Sequence, residues 1–267
     1  MPKLAANLTL MFPDLPFLDR LEAAAHAGFK GVEWMFSYDT PAPVVRESLD
    51  AHGLQSVLIN APPGDWAGGD RGLAGLPHRV DEARASVATA IDYARAIGCP
   101  RVHVMAGLRD EAVDRGAQVD TMVALLREAS DMAGLYGITL MVEPLNRHVD
   151  MPGYLLAGSV EGMEVVDRAD RDNVKLQYDV YHMQIVEGDL ARTIERLLPR
   201  IGHMQIADNP GRHEPGTGEI AYDWLLGKID ALGYDGWVGC EYRPIGDTVA
   251  GLGWASGYLE ASNGGRP

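Results

Sequence analysis

The sequence predicts a single-domain α/β protein built as a (β/α)8 TIM barrel, and three observations carry that expectation. Short, β-branched apolar runs alternate eight times with longer amphipathic stretches, the chain has 267 residues, and the segment after the first apolar run, Asn7–Asp14, holds no glycine. Regular alternation implies a parallel sheet with helical crossovers, and eight such units close on themselves within about 250 residues. An open doubly wound sheet, the competing fold, would want a glycine-rich dinucleotide loop at that first turn.

Taken in order, Leu4–Leu10 reads as the first strand and Leu15–Ala27 as a helix stopped by Gly28. Gly31–Met35 is the second strand, followed by a helix at Ala42–His52 that stops at Gly53. Gln55–Asn60 is the third strand, and a long loop rich in Pro and Gly, Ala61–Pro77, separates it from a helix at His78–Ile97. The strand Arg101–Gly107 and the helix Glu111–Tyr136 form the fourth unit, and Thr139–Asn146 with Ser159–Ala169 the fifth. Val174–His182 with Leu190–Leu198, His203–Asp208 with Tyr222–Leu232, and Trp237–Tyr242 with Asp247–Leu259 complete the set. The phrases that join helix to strand, such as Ala27–Glu33, carry Gly where a left-handed helix cap fits. The barrel is expected to span 1–261, with 262–267 as a frayed tail.

Composition narrows the function classes. Hydrophobic residues make up 46% and charged residues 23%, which suits a globule with a sizeable core, and the formal net charge is −15. That acidity works against nucleic acid and anionic membrane surfaces as partners, since both are polyanions. Cys99 and Cys240 are the only cysteines. They make no disulfide framework, so a reducing cytoplasm is the expected compartment. The N-terminus lacks the pattern of a signal peptide, and no run of about 18 apolar residues predicts a membrane span. Oligomeric state is left open, with a homo-oligomer among the partners to consider.

In a barrel the functional side chains gather at the C-terminal ends of the strands. There, Glu143, Asp179, Gln205 and Glu241 interrupt the apolar runs of the last four strands. Burying carboxylates in such runs is costly without a partner, and three acids and an amide on consecutive strands point to one shared cation. All four are hard oxygen donors, which favours Mg²⁺, with Mn²⁺ the other choice, over Zn²⁺. If Glu241 faces the interior, alternation turns Cys240 and Tyr242 towards the helices and Arg243 inward again. A cation that chelates a carbonyl and a neighbouring hydroxyl acidifies the proton between them, so one glutamate of the pair Glu143 and Glu241 removes it and the other returns a proton to the adjacent carbon.

Three further groups surround this expectation. His182 follows Asp179 by three residues and is placed to reach substrate oxygens or to serve the turn. The loop from Asp208 to Glu219 is dense in Gly and Pro, and Arg212 within it is a partner for a substrate carboxylate. Glu214 and Glu219 there either contact the ligand, brace Arg212 or cap the next helix. The third loop, with Trp66 and Arg71, is expected to cover the pocket, and Phe12, Trp34, Phe36 and Tyr38 either wall it or pack in the core.

Several phrases together resemble the hydroxypyruvate isomerase family of the xylose-isomerase-like barrel superfamily. They are Gly31–Phe36, Pro63–Ala67, Glu143–Asn146, Gln177–Gln184, the long block Gly202–Ile220, and Gly236–Tyr242, with a shorter match around Asn7. The resemblance runs nearly end to end. It implies interconversion of hydroxypyruvate and tartronate semialdehyde, with Glu143 and Glu241 as catalytic residues and Glu143, Asp179, Gln205 and Glu241 as metal ligands. With it, Arg212, His182, Asn7, Trp66 and Glu214 are expected to contact the substrate. Ketose 3-epimerases of the superfamily carry His where this chain has Gln205. The 2-oxo-tetronate isomerases share nearly all these motifs, so three-carbon and four-carbon hydroxy-keto acids both remain open. Outside these isomerases the rivals are a barrel nuclease, which would want a His-rich zinc site and a basic face, and a catalytically silent binding barrel.

Overall fold

Eight parallel strands close into one barrel in chain order: β1 Lys3–Asn7, β2 Gly31–Trp34, β3 Gln55–Asn60, β4 Arg101–His103, β5 Thr139–Val142, β6 Val174–Asp179, β7 Ile201–Ile206 and β8 Trp237–Cys240. The structure is a computed structural model that describes residues 1–262. The seam is closed by β1 against β8, with Ala5 opposite Gly239 and Ala6 opposite Cys240. The helices α1 Phe17–His26, α2 Ala42–His52, α3 Val80–Ile97, α4 Arg115–Gly134, α5 Ser159–Ala169, α6 Val180–Val186, α7 Leu190–Leu197, α8 Tyr222–Ala231 and α9 Ser256–Ser262 follow the strands in chain order. Their apolar faces and the outward faces of the strands form one continuous core. The expected tail from 263 onward lies outside the described residues. Among the described residues, no helix is long and apolar enough to cross a membrane.

The expected elements are present, with shifted ends that have local causes. The first helix begins after Pro16, whose fixed φ suits a helix entry. Gly53 ends α2 and Gly98 ends α3, both in the left-handed conformation. The Asp114 carboxylate accepts a bond from the Ala117 amide, so α4 starts at Arg115 rather than 111. The strands β1, β4, β5 and β8 are shorter than their apolar runs, because those runs continue into loops after the ladder has ended. The run Val174–His182 is the clearest correction: Asp179 ends the strand and caps a short helix, α6, that the sequence analysis had read as strand. The last helix is a 3-10 turn over Ala250–Ala255 before α9, in a stretch weakened by Gly251 and Gly253.

The barrel interior changes character from bottom to top. A small cluster of Ala5, Val57, Leu58, Met141 and Trp237 fills its lower part. A Cβ on Gly31 would lie 2.6 Å from the Trp237 ring, so the indole fits only because that residue is glycine. Higher up, Asn7, Glu33, Gln177, His203 and Gln205 form a buried polar tier from β1, β2, β6 and β7, and the acids lie above it.

Candidate active site

The polar tier is centred on Glu33 of β2, which is wholly buried. Its carboxylate meets His203 Nε2 at 2.6 Å and accepts from Gln205 Nε2 at 2.7 Å and Asn7 Nδ2 at 2.9 Å. A Cβ on Gly239 would sit 2.3 Å from a Glu33 oxygen, so β8 gives up a side chain to make room for this carboxylate. Asn7 also reaches upward to Glu241 Oε1 at 3.4 Å, tying this tier to the one above.

Above it, Glu143, Asp179, His182 and Glu241 offer ligand atoms that all lie within 4.8 Å of one another, and all four are buried. Asp179 Oδ1 accepts from the Tyr181 and His182 amides at the start of α6, where the helix dipole favours a negative charge. Its Oδ2 and Glu143 Oε1 are buried with no hydrogen-bond partner among the described residues. Two orphaned carboxylate oxygens in one tight cluster are what a hard cation would satisfy, so the residues present fit a divalent metal.

His182 joins the three acids in this cluster of histidine and carboxylate groups, and Gln205 remains the expected amide ligand. Gln205 is engaged one tier lower, where its Oε1 accepts from Gln177 and its Nε2 donates to Glu33. Glu33, a buried carboxylate that meets Asn7, His203 and Gln205, was not recognised from the sequence. His182 Nε2 lies 3.6 Å from Asp179, and its Nδ1 pairs with the Asn146 side chain at 2.7 Å.

Electrostatics follow from crowding. Burial raises the Glu143 pKa well above the usual carboxylate range, and Glu241 and Asp179 push it further. Burial also pushes Glu241 up to about 8, against the pull of Arg212. Burial lowers His182 to about 4 and His103 to about 3, so both imidazoles are neutral. His103, at the end of β4, lies 3.3 Å from Glu143 Oε2, yet neither ring nitrogen has a hydrogen-bond partner among the described residues.

Arg212 enters this cluster from the loop after β7. Its φ of 55° is uncommon for a residue with a side chain. Asp208 imposes that shape, accepting from the amides of Gly216, Gly218 and Ile220 and bonding Arg212 through its own carbonyl. The Arg212 guanidinium pairs with Asp150 at 3.0 Å and Glu241 at 2.7 Å, and lies over the Tyr181 ring. Burial disfavours its charge, but Glu241, Asp179 and Asp150 outweigh that and hold it protonated.

These residues border a cavity of about 220 Å³, below the ~300–1,000 Å³ of drug-sized ligand sites. Glu143, Glu241, His182, Arg212 and Trp66 line it, together with His103, Asp150, Arg71 and Arg243. Asn7 does not line it, because its amide is held beneath by Glu33. Glu214 does not either: its carboxylate accepts the Ile245 amide at 3.1 Å and braces the loop after β8. Glu219 accepts from Gln184 and Asn209 on the outside. Arg243 does face the cavity beside Glu241, while Tyr242 packs on Trp254 in the outer layer, as alternation requires. Of the four aromatics, Phe12 and Trp34 are core, Tyr38 packs on Tyr93, and Phe36 supports Trp66 from behind. Glu33 and His103 carried the same signal as the residues singled out, a lone polar group inside an apolar strand. Asp150 sits in a loop and carried none.

A model described as Xylose isomerase-like TIM barrel matches residues 21–258. The chain is 48% identical to the 2-oxo-tetronate isomerase of Cupriavidus necator, over 97% of this chain and 99% of that one. It is 44% identical to the hydroxypyruvate isomerase of Escherichia coli, over 97% and 100%. The crystal structure of AP endonuclease, family 2 from Brucella melitensis superposes with a TM-score of 0.94 at 46% identity, covering 97% of this chain and 99% of that one. The barrel, the acids at the ends of its strands and these matches agree that the chain belongs to the xylose isomerase-like TIM-barrel family.

Proposed function

We propose that the protein isomerises a short hydroxy-keto acid, converting hydroxypyruvate to tartronate semialdehyde. The observation that carries this reading is the meeting of two buried glutamates with raised pKa, Glu143 and Glu241, in one small cavity that also holds arginines. One glutamate removes the C3 proton and the other delivers a proton to C2. At the oxygens, the O3 hydroxyl loses its proton and the C2 carbonyl oxygen gains one, so the reaction is balanced without any external oxidant. A pKa near the working pH lets a carboxyl group take and give protons, which is what burial achieves here.

A divalent cation, Mg²⁺ or Mn²⁺, would acidify the C3 proton and stabilise the charge of the enediolate. Glu143, Asp179 and Glu241 are the residues that would hold it. The fourth ligand is taken from His182, which lies in the cluster, or Gln205, the amide expected from the sequence. His103, kept neutral, can offer an N–H to substrate oxygens without adding charge, and so can His182 where Gln205 is the fourth ligand. Trp66 and the loop that carries it exclude water from the reacting carbons.

A second reading has its own support. The relative at 48% identity is named 2-oxo-tetronate isomerase, so a four-carbon 2-oxo acid undergoing the same C3-to-C2 proton shift is the alternative substrate. The name of the Brucella structure suggests a nuclease, but a net charge of −15 opposes a polyanionic substrate. The reading places the protein in the cytoplasm, with a small acid rather than nucleic acid or membrane as its partner. The test is product analysis by NMR with Mg²⁺-loaded protein, three- and four-carbon 2-oxo acids and neutral ketoses, run in D₂O. Deuterium at C2 of the product supports proton transfer. Complete retention of the substrate hydrogen supports a hydride shift instead, and no turnover of any acid sinks the isomerase reading.

A further inference from the structure

We propose that Arg71, on the loop that roofs the cavity, binds the substrate carboxylate. The inference rests on the isomerase reading above and assigns that substrate's charged end. Three arginines border the cavity, Arg71, Arg212 and Arg243, and their donors differ in availability.

Without a cation Arg212 is engaged by acids of the protein itself: Nη1 donates to Asp150 and Nη2 to Glu241, and its buried Nε has no partner among the described residues. Without a cation, turning it onto a substrate would take the partner from the buried Glu241, while the partly exposed Asp150 keeps its bonds from Asn146 and Tyr181.

Arg71 is arranged the other way. Its Nη1 donates to the backbone carbonyls of Trp66 at 3.1 Å and Asp70 at 2.6 Å. Its guanidinium carbon sits 4.1 Å from the centroid of the Trp66 ring. Those contacts fix the plane of the group and leave Nε and Nη2 without an acceptor among the described residues. That side-on edge is the one that takes a carboxylate through two parallel hydrogen bonds. The loop beneath it is braced: Arg79 pairs with Asp70 at 2.7 Å, Asp70 accepts the Asp65 amide at 2.7 Å, and Phe36 packs on Trp66. The donors are therefore ordered before any ligand arrives, which reduces the entropy lost on binding. Arg243 is exposed and its side chain makes no hydrogen bond among the described residues, so it would have to be ordered on binding.

This arrangement makes Arg71 a specificity residue: it holds an acid at the roof while the glutamates work below, and it offers nothing equivalent to a neutral ketose. The test uses the full-length, Mg²⁺-loaded protein and two probes, hydroxypyruvate and dihydroxyacetone, which lacks the carboxylate. Binding is measured by calorimetry and turnover by steady-state kinetics, for wild type, Arg71→Gln and Arg71→Lys, with thermal melts to confirm folding. Arg71→Gln is expected to weaken hydroxypyruvate binding by about 10- to 100-fold, as losing a charged hydrogen-bond pair does. Dihydroxyacetone binding and kcat should change little. Arg71→Lys should recover only part of the loss, because a point charge lacks the fork. Unchanged acid affinity in Arg71→Gln, equal losses for both probes, or a wild type with no preference for the acid would each overturn the assignment. Acid binding through Arg71 without turnover would defeat the isomerase reading and leave the anchor standing. Turnover with an unchanged KM in Arg71→Gln would do the reverse.

Discussion

Replacing Arg212 with methionine, which keeps the apolar stem and removes the charge, isolates the electrostatics of the site. The guanidinium lies 2.7 Å from Glu241, 3.0 Å from Asp150 and 4.0 Å from Asp179. At an effective dielectric near 20, a unit pair at about 4 Å attracts by about 4 kcal/mol before desolvation is counted. Removing one partner of a buried pair costs about 3–5 kcal/mol, because the remaining charge stays buried and uncompensated. Arg212→Met should therefore destabilise metal-free protein by about 3–5 kcal/mol, which at ~2–4 °C per kcal/mol lowers Tm by about 6–20 °C. A divalent cation neutralises the same carboxylates. Saturating Mg²⁺ or Mn²⁺ at about 100 times Kd should stabilise wild type by about 2.7 kcal/mol. In the variant it should give more, because the cation no longer competes with the guanidinium for Glu241. The assay is thermal and denaturant unfolding of both proteins, with chelator and with metal. A loss below about 1 kcal/mol, or metal-induced shifts equal in the two proteins, would refute the view that guanidinium and cation answer one cluster of acids.

Four more outcomes can be checked. Glu143→Gln and Glu241→Gln are each expected to lower turnover by at least about 10²-fold, and near-normal kcat in either would refute its role as acid or base. Gly239→Ala places a methyl 2.3 Å from a Glu33 oxygen, so unfolding experiments should show a loss of about 1–3 kcal/mol; an unchanged midpoint would mean the Glu33 tier is slack. The folded Glu241 pKa is raised from 4.5 to about 8, so the metal-free folded state binds more protons than the unfolded chain between those values. Stability should accordingly fall as pH rises from about 4.5 to about 8 and then level off, and bound Mg²⁺ should flatten the slope; a metal-free protein that gains stability over that window would contradict the burial of this group. Metal titration by calorimetry of His182→Ala and Gln205→Ala should single out the fourth ligand: the true one loses affinity strongly, and equal small losses would mean that three carboxylates suffice.

The barrel was legible because its signal is repeated. Eight alternations of short apolar runs and longer amphipathic stretches outvote any one ambiguous boundary, and the Gly53 and Gly98 caps fall where the sequence puts them. Glu143, Asp179 and Glu241 were legible for a related reason: a carboxylate inside an apolar run is costly enough to need an explanation. The depth of each polar group within the barrel was not legible. Gln205 and Glu33 carry the same sequence signal as the acids above them, and only the stagger of neighbouring strands shows that they meet each other. Asn7 and Glu214 were expected at the ligand, and each has a protein partner from a distant segment that the sequence does not reveal, Glu33 for Asn7 and the Ile245 amide for Glu214. The helix at Val180–Val186 was hidden because one apolar run serves both the end of a strand and the start of a helix. Asp179 decides between them with a cap that a periodicity argument does not see.

The two tiers also explain how the site tolerates its own repulsion. Three acids within 4.8 Å would move apart if their backbones allowed it. Glu143 and Glu241 leave from the ends of β5 and β8, and Asp179 is clamped by the amides of α6. Below them Glu33 gathers His203, Gln205 and Asn7 into one buried network, and Asn7 passes that rigidity to Glu241. The network links β1, β2 and β7 through side chains, although His203 Nδ1 and Gln177 Oε1 have no partner among the described residues. The strain of like charges is then kept in the side chains rather than relieved by the fold. It is expressed as raised carboxyl pKa values and as an appetite for positive charge, met in this structure by Arg212. That appetite is what a cation-assisted proton shift needs, and it arises from the crowding of buried carboxylates at the top of the barrel.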